Sequence, residues 1–167
     1  CVSHITDVVI EQARLWQNRP LESVYPFIFM DAIHYKVRED SKIKNKAVYV
    51  ILGVNKDGFK YILGLWIGES ETSKFWYSIL TDLKNRGVKD VLIFSVDGLP
   101  GFKEAISASY PQSVVQRCII HQLRNTFKYV SYKDSKELMK DFKLVYKAIN
   151  ESEALSALDV VEEKWGK

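Results

Sequence analysis

Cysteine is nearly absent: Cys1 and Cys118 are the only thiols in 167 residues. No CxxC pair and no four-ligand zinc spacing accompanies them. A disulfide framework and a structural zinc site are therefore excluded, and the expected setting is a reducing compartment with Cys118 a free thiol. Long apolar runs are missing too. Nothing approaches the roughly 20 residues needed to cross a bilayer, and the opening CVSHITDVVIEQ lacks the basic and apolar regions of a signal peptide. A membrane role is excluded and a cytoplasmic protein expected. Cysteine in place of an initiating Met also begins a mature lipoprotein, but truncation is the simpler reading. Internal repeats and low-complexity tracts are absent as well.

Charge of one sign is scarce. Lys and Arg number 24 against 21 Asp and Glu, a formal +3, far from the bias of a histone-like binder. Nucleic acid is permitted by this balance, not demanded. What the chain does have is apolar material. At 47% hydrophobic and 13% aromatic it can bury the core of one compact domain.

The pattern along the chain changes period several times. Val8, Val9, Ala13, Leu15 and Trp16 fit a lead-in helix from Thr6, with Thr6 or Asp7 as its cap and Asn18 to Pro20 as its end. Pro26 to Val37 reads as a buried strand, followed by a polar turn from Arg38 to Asn45 and a second strand from Ala47 to Val54. Asn55-Lys-Asp-Gly58 is a hairpin signal, and Phe59 to Gly68 returns as a third strand. Helical spacing then takes over at Phe75, Trp76, Ile79, Leu80 and Leu83, with Arg86-Gly87 as the stop. Val88 to Val96 is nearly all apolar, as for a strand covered on both faces, and ends at Asp97-Gly98.

A short helix from Phe102 to Tyr110, a strand from Ser113 to Arg117 and a helix from Ile119 to about Val130 follow. Beyond Ser131 come two helical stretches, one striped by Leu138, Phe142, Val145 and Ile149, the other by Leu155, Leu158, Val161 and Trp165. A three-strand meander followed by alternating helices and strands predicts an α/β domain of RNase H-like type, a mixed five-stranded sheet flanked by helices. The expected division is residues 1–25 as lead-in helix and linker, 26–130 as the core, and 131–167 as the beginning of a helical insertion.

Two carboxylates stand out. Asp31 interrupts a strand built from Phe, Ile, Met and Ala, where a buried charge is costly unless a cation or several donors meet it. Asp97 ends another strand at the carboxyl edge, where sheet proteins commonly place ligands, although Asp-Gly is also an ordinary turn. Such a pair on neighbouring strands suits two Mg²⁺ ions, about 4 Å apart, engaged in phosphodiester displacement. Cys118 and His121 sit three apart at a strand-to-helix junction, too few for zinc and without the orienting acid of a nucleophilic pair. Lys36 and Arg38, and Arg124 and Lys128 on the later helix, are candidates for DNA phosphates or plain solvated charge. The lysines at 136, 140, 143 and 147 read as a solvated helix face.

Five stretches together resemble a known family: Leu21 to Pro26 (LESVYP), Met30 to Arg38 (MDAIHYKVR), Gly64 to Glu69 (GLWIGE), Val96 to Leu99 (VDGL) and Cys118 to Asn125 (CIIHQLRN). With Asn85 to Asp90 (NRGVKD) leading to Val-Asp-Gly, they look like the Mutator-type insertion-sequence transposases of bacteria. The resemblance implies a DDE transposase, a Mg²⁺-dependent (or Mn²⁺-dependent) nuclease and strand transferase. Such an enzyme cuts transposon ends and joins their 3′-hydroxyls to target DNA, as a dimer at the nucleoid. Asp31 and Asp97 match its first two acids, and Cys118 with His121 its signature pair.

The catalytic Glu of that family lies beyond the helical insertion, farther than Glu162 and Glu163, and an end-binding region precedes the core. The chain as given is therefore expected to bind metal weakly and to transfer strands little or not at all by itself. The competing readings are a noncatalytic DNA- or protein-interaction module and a host RNase H-type nuclease on the same fold.

Overall fold

A computed structural model describes residues 2–39, 41–68, 72–98 and 101–166, with side chains from residue 7 onward. The elements run α1 (Val2–Gln17), β1 (Val24–Glu39), β2 (Lys42–Val54), β3 (Lys60–Gly68), α2 (Ser73–Asn85), β4 (Asp90–Val96), α3 (Phe102–Ser109), β5 (Val114–Arg117), α4 (Ile119–Phe127), α5 (Tyr132–Tyr146) and α6 (Glu151–Trp165). The chain forms two compact units, Cys1–Cys118 and Ile119–Lys167. The boundary between these units falls before α4. None of the described helices is long and apolar enough to cross a membrane.

The first unit holds one five-stranded sheet in the order β3-β2-β1-β4-β5. β1, β2 and β3 pair antiparallel, whereas β4 runs parallel to β1 and β5 parallel to β4. An antiparallel meander extended by two parallel strands reached through helices is the RNase H-like arrangement. The first turn follows the expected chemistry: Gly58 takes φ +85, and the Asn55 side-chain oxygen accepts from the Asp57 and Phe59 amides. The free edge of β3 is covered by the residues after and ending α1. Gln17 accepts from the Leu65 amide and Arg19 donates to the Ile62 carbonyl. Both groups would otherwise invite a further strand.

One face of the sheet carries the core. Ile28, Met30, Tyr49, Ile51, Phe94 and Val96 are buried there with Trp76, Ile79, Leu80 and Leu83 of α2 and Phe102 and Ile106 of α3. Thr72 caps α2 by accepting from the Phe75 amide, which starts the predicted stripe in phase. The opposite face corrects the expectation of strands buried on both sides. Phe27 is 41% exposed, Phe29 39%, Leu92 52% and Ile67 68%. An all-apolar strand shows that both its faces are hydrophobic; it does not show that the same unit covers both.

Two further boundaries differ from expectation. Thr6 and Asp7 lie inside α1, which begins at Val2, so neither caps it. The polar stretch from Arg38 to Asn45 is not a turn but the paired ends of β1 and β2, in register down to Glu39 with Lys42. Opposite charge holds this register: Glu39 meets Lys44 at 3.0 Å and Lys46 at 3.2 Å, and both lysines pull its carboxyl below the usual range.

In the second unit Ser131 caps α5 and Asn150 caps α6, each accepting from an amide three residues on. Leu138 and Val161 are buried. Asp141 of α5 accepts from Lys164 Nζ and Trp165 Nε1 of α6, both at 2.9 Å, and these donors lower its pKa. Ile149, expected on the α5 stripe, lies in the connection between the helices and is 86% exposed. α5 ends at Tyr146, and the Lys147 amide, three residues before the cap of α6 at Asn150, bonds back to the Lys143 carbonyl.

Burial also sets a pH limit. Tyr110 is 4% exposed, its hydroxyl donates to the Val88 carbonyl, and desolvation raises its pKa well above the ordinary value. The folded state therefore keeps the proton that the unfolded chain releases near pH 10. This contribution is complete below about pH 10 and is lost as pH rises toward the folded value, at no more than about 1.4 kcal/mol per unit. Urea unfolding measured from neutral pH to about pH 11 is expected to show the loss. Tyr110→Phe should flatten it, at a cost of about 1 kcal/mol at neutral pH. A slope unchanged in Tyr110→Phe would assign the effect to Tyr25, whose pKa burial also raises.

Candidate active site

Parallel pairing brings the carboxyl ends of β4 and β5 level with the middle of β1. The β1–β4 register ends at Met30 with Val96, and the β4–β5 register at Val96 with Arg117. One residue farther along each strand stand Asp31, Asp97 and Cys118. The Cys118 amide donates to the Val96 carbonyl at 2.8 Å, which holds the third of these positions against the end of β4. Neighbouring strands lie about 4.8 Å apart, so Asp31 and Asp97 occupy adjacent places at one edge.

Side-chain alternation decides which way they point. Met30 and Val96 enter the core, so the next residues take the other face. Asp31 is accordingly exposed and Asp97 half-buried. The expectation of a costly buried charge at Asp31 does not hold, since the apolar residues before it alternate between the core and the open face. Each carboxylate has one oxygen engaged locally: Asp31 Oδ1 accepts from the Ala32 amide at 2.8 Å, and Asp97 Oδ1 from the Gly98 amide at 2.6 Å.

Beside Asp97 lies a cavity of about 200 Å³, lined by Gly98, Phe102, Lys103, Val115 and Arg117. Lys103 and Arg117 were not singled out by sequence reading. One opens α3 and the other ends β5, and only the strand order brings them to Asp97. Gly101 makes the turn into α3 possible. It takes φ +85, and a Cβ there would meet the Ser73 amide nitrogen at 2.8 Å, so α3 starts directly against the start of α2.

The other predicted residues fall elsewhere. Lys36 and Arg38 are exposed far along β1, toward its turn. Cys118 is a half-buried free thiol. His121 belongs to the helical unit, half-buried in the first turn of α4, where Arg124 is exposed. Lys128, just past that helix, donates to Asn125 Oδ1 at 2.8 Å.

Two carboxylates at a solvent-facing edge would repel an anionic substrate unless a cation came between. Among the described residues no group of three or more His, Cys, Asp or Glu stands together. The donor set is thus two hard oxygen ligands. It fits Mg²⁺, which binds through one or two carboxylates and keeps several waters, and does not fit zinc.

The sequence profile described as "Transposase, Mutator family" matches residues 1–167. The chain is 49% identical, over 166 residues, to the transposase for insertion sequence element ISRM3 of Rhizobium meliloti (strain 1021), covering 99% of this chain and 42% of that protein. It is 46% identical, over 161 residues, to a probable insertion-sequence transposase of Corynebacterium diphtheriae, covering 96% of this chain and 47% of that protein. The chain spans less than half the length of these relatives. Matched from end to end by that profile and close to half identical to both proteins, the chain belongs to the Mutator family of transposases.

Proposed function

We propose that this chain is the catalytic-core portion of a DDE transposase, with Asp31 and Asp97 holding Mg²⁺ for phosphodiester cleavage and strand transfer at transposon ends. The observation that carries the reading is the place of the two acids. They come one residue beyond the last residues that pair β1 with β4, on neighbouring parallel strands and on the same face. A bound Mg²⁺ supplies charge neutralisation at the phosphate and eases deprotonation of the attacking oxygen. Asp31 and Asp97 fix where that charge sits. Lys103 and Arg117, lining the cavity at Asp97, draw phosphate toward it, with the guanidinium able to grip two oxygens at once.

Two carboxylates alone hold a hard cation loosely, because water fills the remaining positions. Residues 1–167 by themselves are therefore read as weak metal binders with little strand transfer. Transposon-end and target DNA are read as the partners, engaged by a homodimer in the bacterial cytoplasm.

The test is a Mg²⁺ or Mn²⁺ titration of the chain, of Asp31→Asn and of Asp97→Asn, followed by thermal unfolding. At ten times the dissociation constant the ion is expected to add about 1.4 kcal/mol. Both substitutions should abolish that gain and, by removing one of two like charges, leave the metal-free protein no less stable. An ion response that survives both would make the two acids structural and sink the reading.

A further inference from the structure

The β1–β2 pair outgrows the sheet. β4 leaves β1 after Met30, and β3 pairs with β2 no farther out than Ala47. From Tyr35 to Glu39 and back from Lys42 to Lys46 the two strands pair, among the described residues, with each other and with no third strand. This ribbon is about 17 Å long at the usual rise per residue. Two strands without a third layer are marginal in water, so their persistence needs another reason.

Its composition is unlike that of the rest of the molecule. Lys36, Arg38, Lys42, Lys44 and Lys46 stand against Glu39 and Asp40, so this one segment accounts for the whole +3 of the chain, and the remaining residues balance. The cations are spread over both faces. Lys36 pairs across with Asn45 and Arg38 with Ile43 on one, while Lys44 opposes Val37 and Lys46 opposes Tyr35 on the other. Glu39 gathers Lys44 and Lys46. Lys36, Arg38 and Lys42 are exposed and make no ion pair among the described residues. Asp31 lies on the same strand, four residues before the ribbon begins and on the face that carries Lys42, so a duplex held by the ribbon lies beside the paired acids.

We propose that the β1–β2 ribbon is a duplex-DNA arm: it enters the major groove and, through Lys36, Arg38 and Lys42, grips the backbone that runs on to Asp31 and Asp97. The major groove of B-form DNA is about 12 Å wide and admits a two-stranded ribbon, whereas the major groove of duplex RNA is deep and too narrow. A ribbon positive on both faces suits a slot whose two walls are phosphate. Lysines along exposed strand edges also discourage edge-to-edge pairing. That role does not account for a segment that carries all the net charge and ends at the candidate metal site.

The inference rests on the catalytic reading above, and its test separates the two. Binding of the 167-residue chain to a nonspecific DNA duplex and to the matching RNA duplex would be measured by fluorescence anisotropy across a salt series. Replacing Lys36, Arg38 and Lys42 together by Ala should lower the slope of log affinity against log salt by about 3 and weaken DNA binding at least about tenfold at low salt. Replacing Lys136, Lys140 and Lys143 of α5 should leave the slope in place. Unchanged melting temperatures in both triple variants would confirm that they fold. If the α5 variant moves the slope and the ribbon variant does not, or if RNA binds as well as DNA, the arm is overturned. A Mg²⁺ response that persists in the ribbon variant leaves the metal site standing in that event. Loss of the Mg²⁺ reading with ribbon-dependent DNA binding intact would instead sink the catalytic reading and keep the arm.

Discussion

Trp76→Ala is expected to destabilise the sheet unit by about 3–5 kcal/mol, a large share of the total stability of a domain this size. Trp76 is fully buried. Its ring stacks on Phe102 with centroids 3.8 Å apart, meets Tyr49 edge-on at 4.8 Å and touches Phe75 at 5.6 Å. Alanine would leave a cavity shared by α2, α3 and β2, and rings held in place from three elements cannot collapse into it fully. The indole N–H has no acceptor among the described residues. Trp76→Phe should therefore recover more than ring size alone implies, because it removes a buried unpaired donor along with some volume. Phe102 also lines the cavity at Asp97, so loosening this stack should slacken the end of β4. Urea unfolding with comparison of midpoint and slope is the check. A loss below about 1.5 kcal/mol for the alanine variant would mean that the aromatic cluster repacks and does not set the position of α3.

Arg86→Ala is expected to cost about 3 kcal/mol, through backbone groups far from it in sequence. The Arg86 side chain is 5% exposed and its guanidinium spans three elements. Nη2 donates to the Leu63 carbonyl at 2.7 Å, Nε to the Arg19 carbonyl at 3.1 Å and Nη1 to Asp82 at 3.4 Å. Leu63 lies where the β2–β3 register shifts, so its carbonyl is turned out of the ladder and needs another donor. Truncation leaves one buried and one part-buried carbonyl unanswered and leaves the lead-in segment held by the backbone bond from the Leu21 amide to the residue-86 carbonyl. Lysine should not rescue, because a single ammonium cannot reproduce a planar fork. Arg86→Met should retain some of the packing of the stem and still lose the hydrogen bonds. Equal stability of the Met variant and the parent chain would show that burial of the stem, not the hydrogen-bonding fork, is what matters.

Some of the candidate site is legible because its signals are local. Asp31 could be singled out by the contrast between a carboxylate and its Phe, Ile and Met neighbours, and Asp97 by the abrupt end of an apolar run. The reason first attached to Asp31 was nevertheless mistaken. A strand that alternates between a covered and an open face looks, in sequence, like one that is covered twice, so the exposed Asp31 reads in sequence as a buried charge. The ribbon was misread for a related reason. Charged residues near a turn score as loop, yet cross-strand attraction between Glu39 and two lysines keeps β1 and β2 paired to their ends.

What the sequence determined by itself was the set of elements and the residues able to do chemistry: the helical stripe of α2, the Asp-Gly turn, the strand that stops at Asp97, the family motifs. These depend on spacing within a few residues, where side-chain period and turn preference act. Only the tertiary structure decided that Asp31 and Asp97 stand on adjacent strands, that Lys103 and Arg117 line the cavity at Asp97, and that β1 and β2 run on as a pair beyond the rest of the sheet. Those facts follow from parallel pairing between strands separated by whole helices, and no period in the chain records which strands become neighbours.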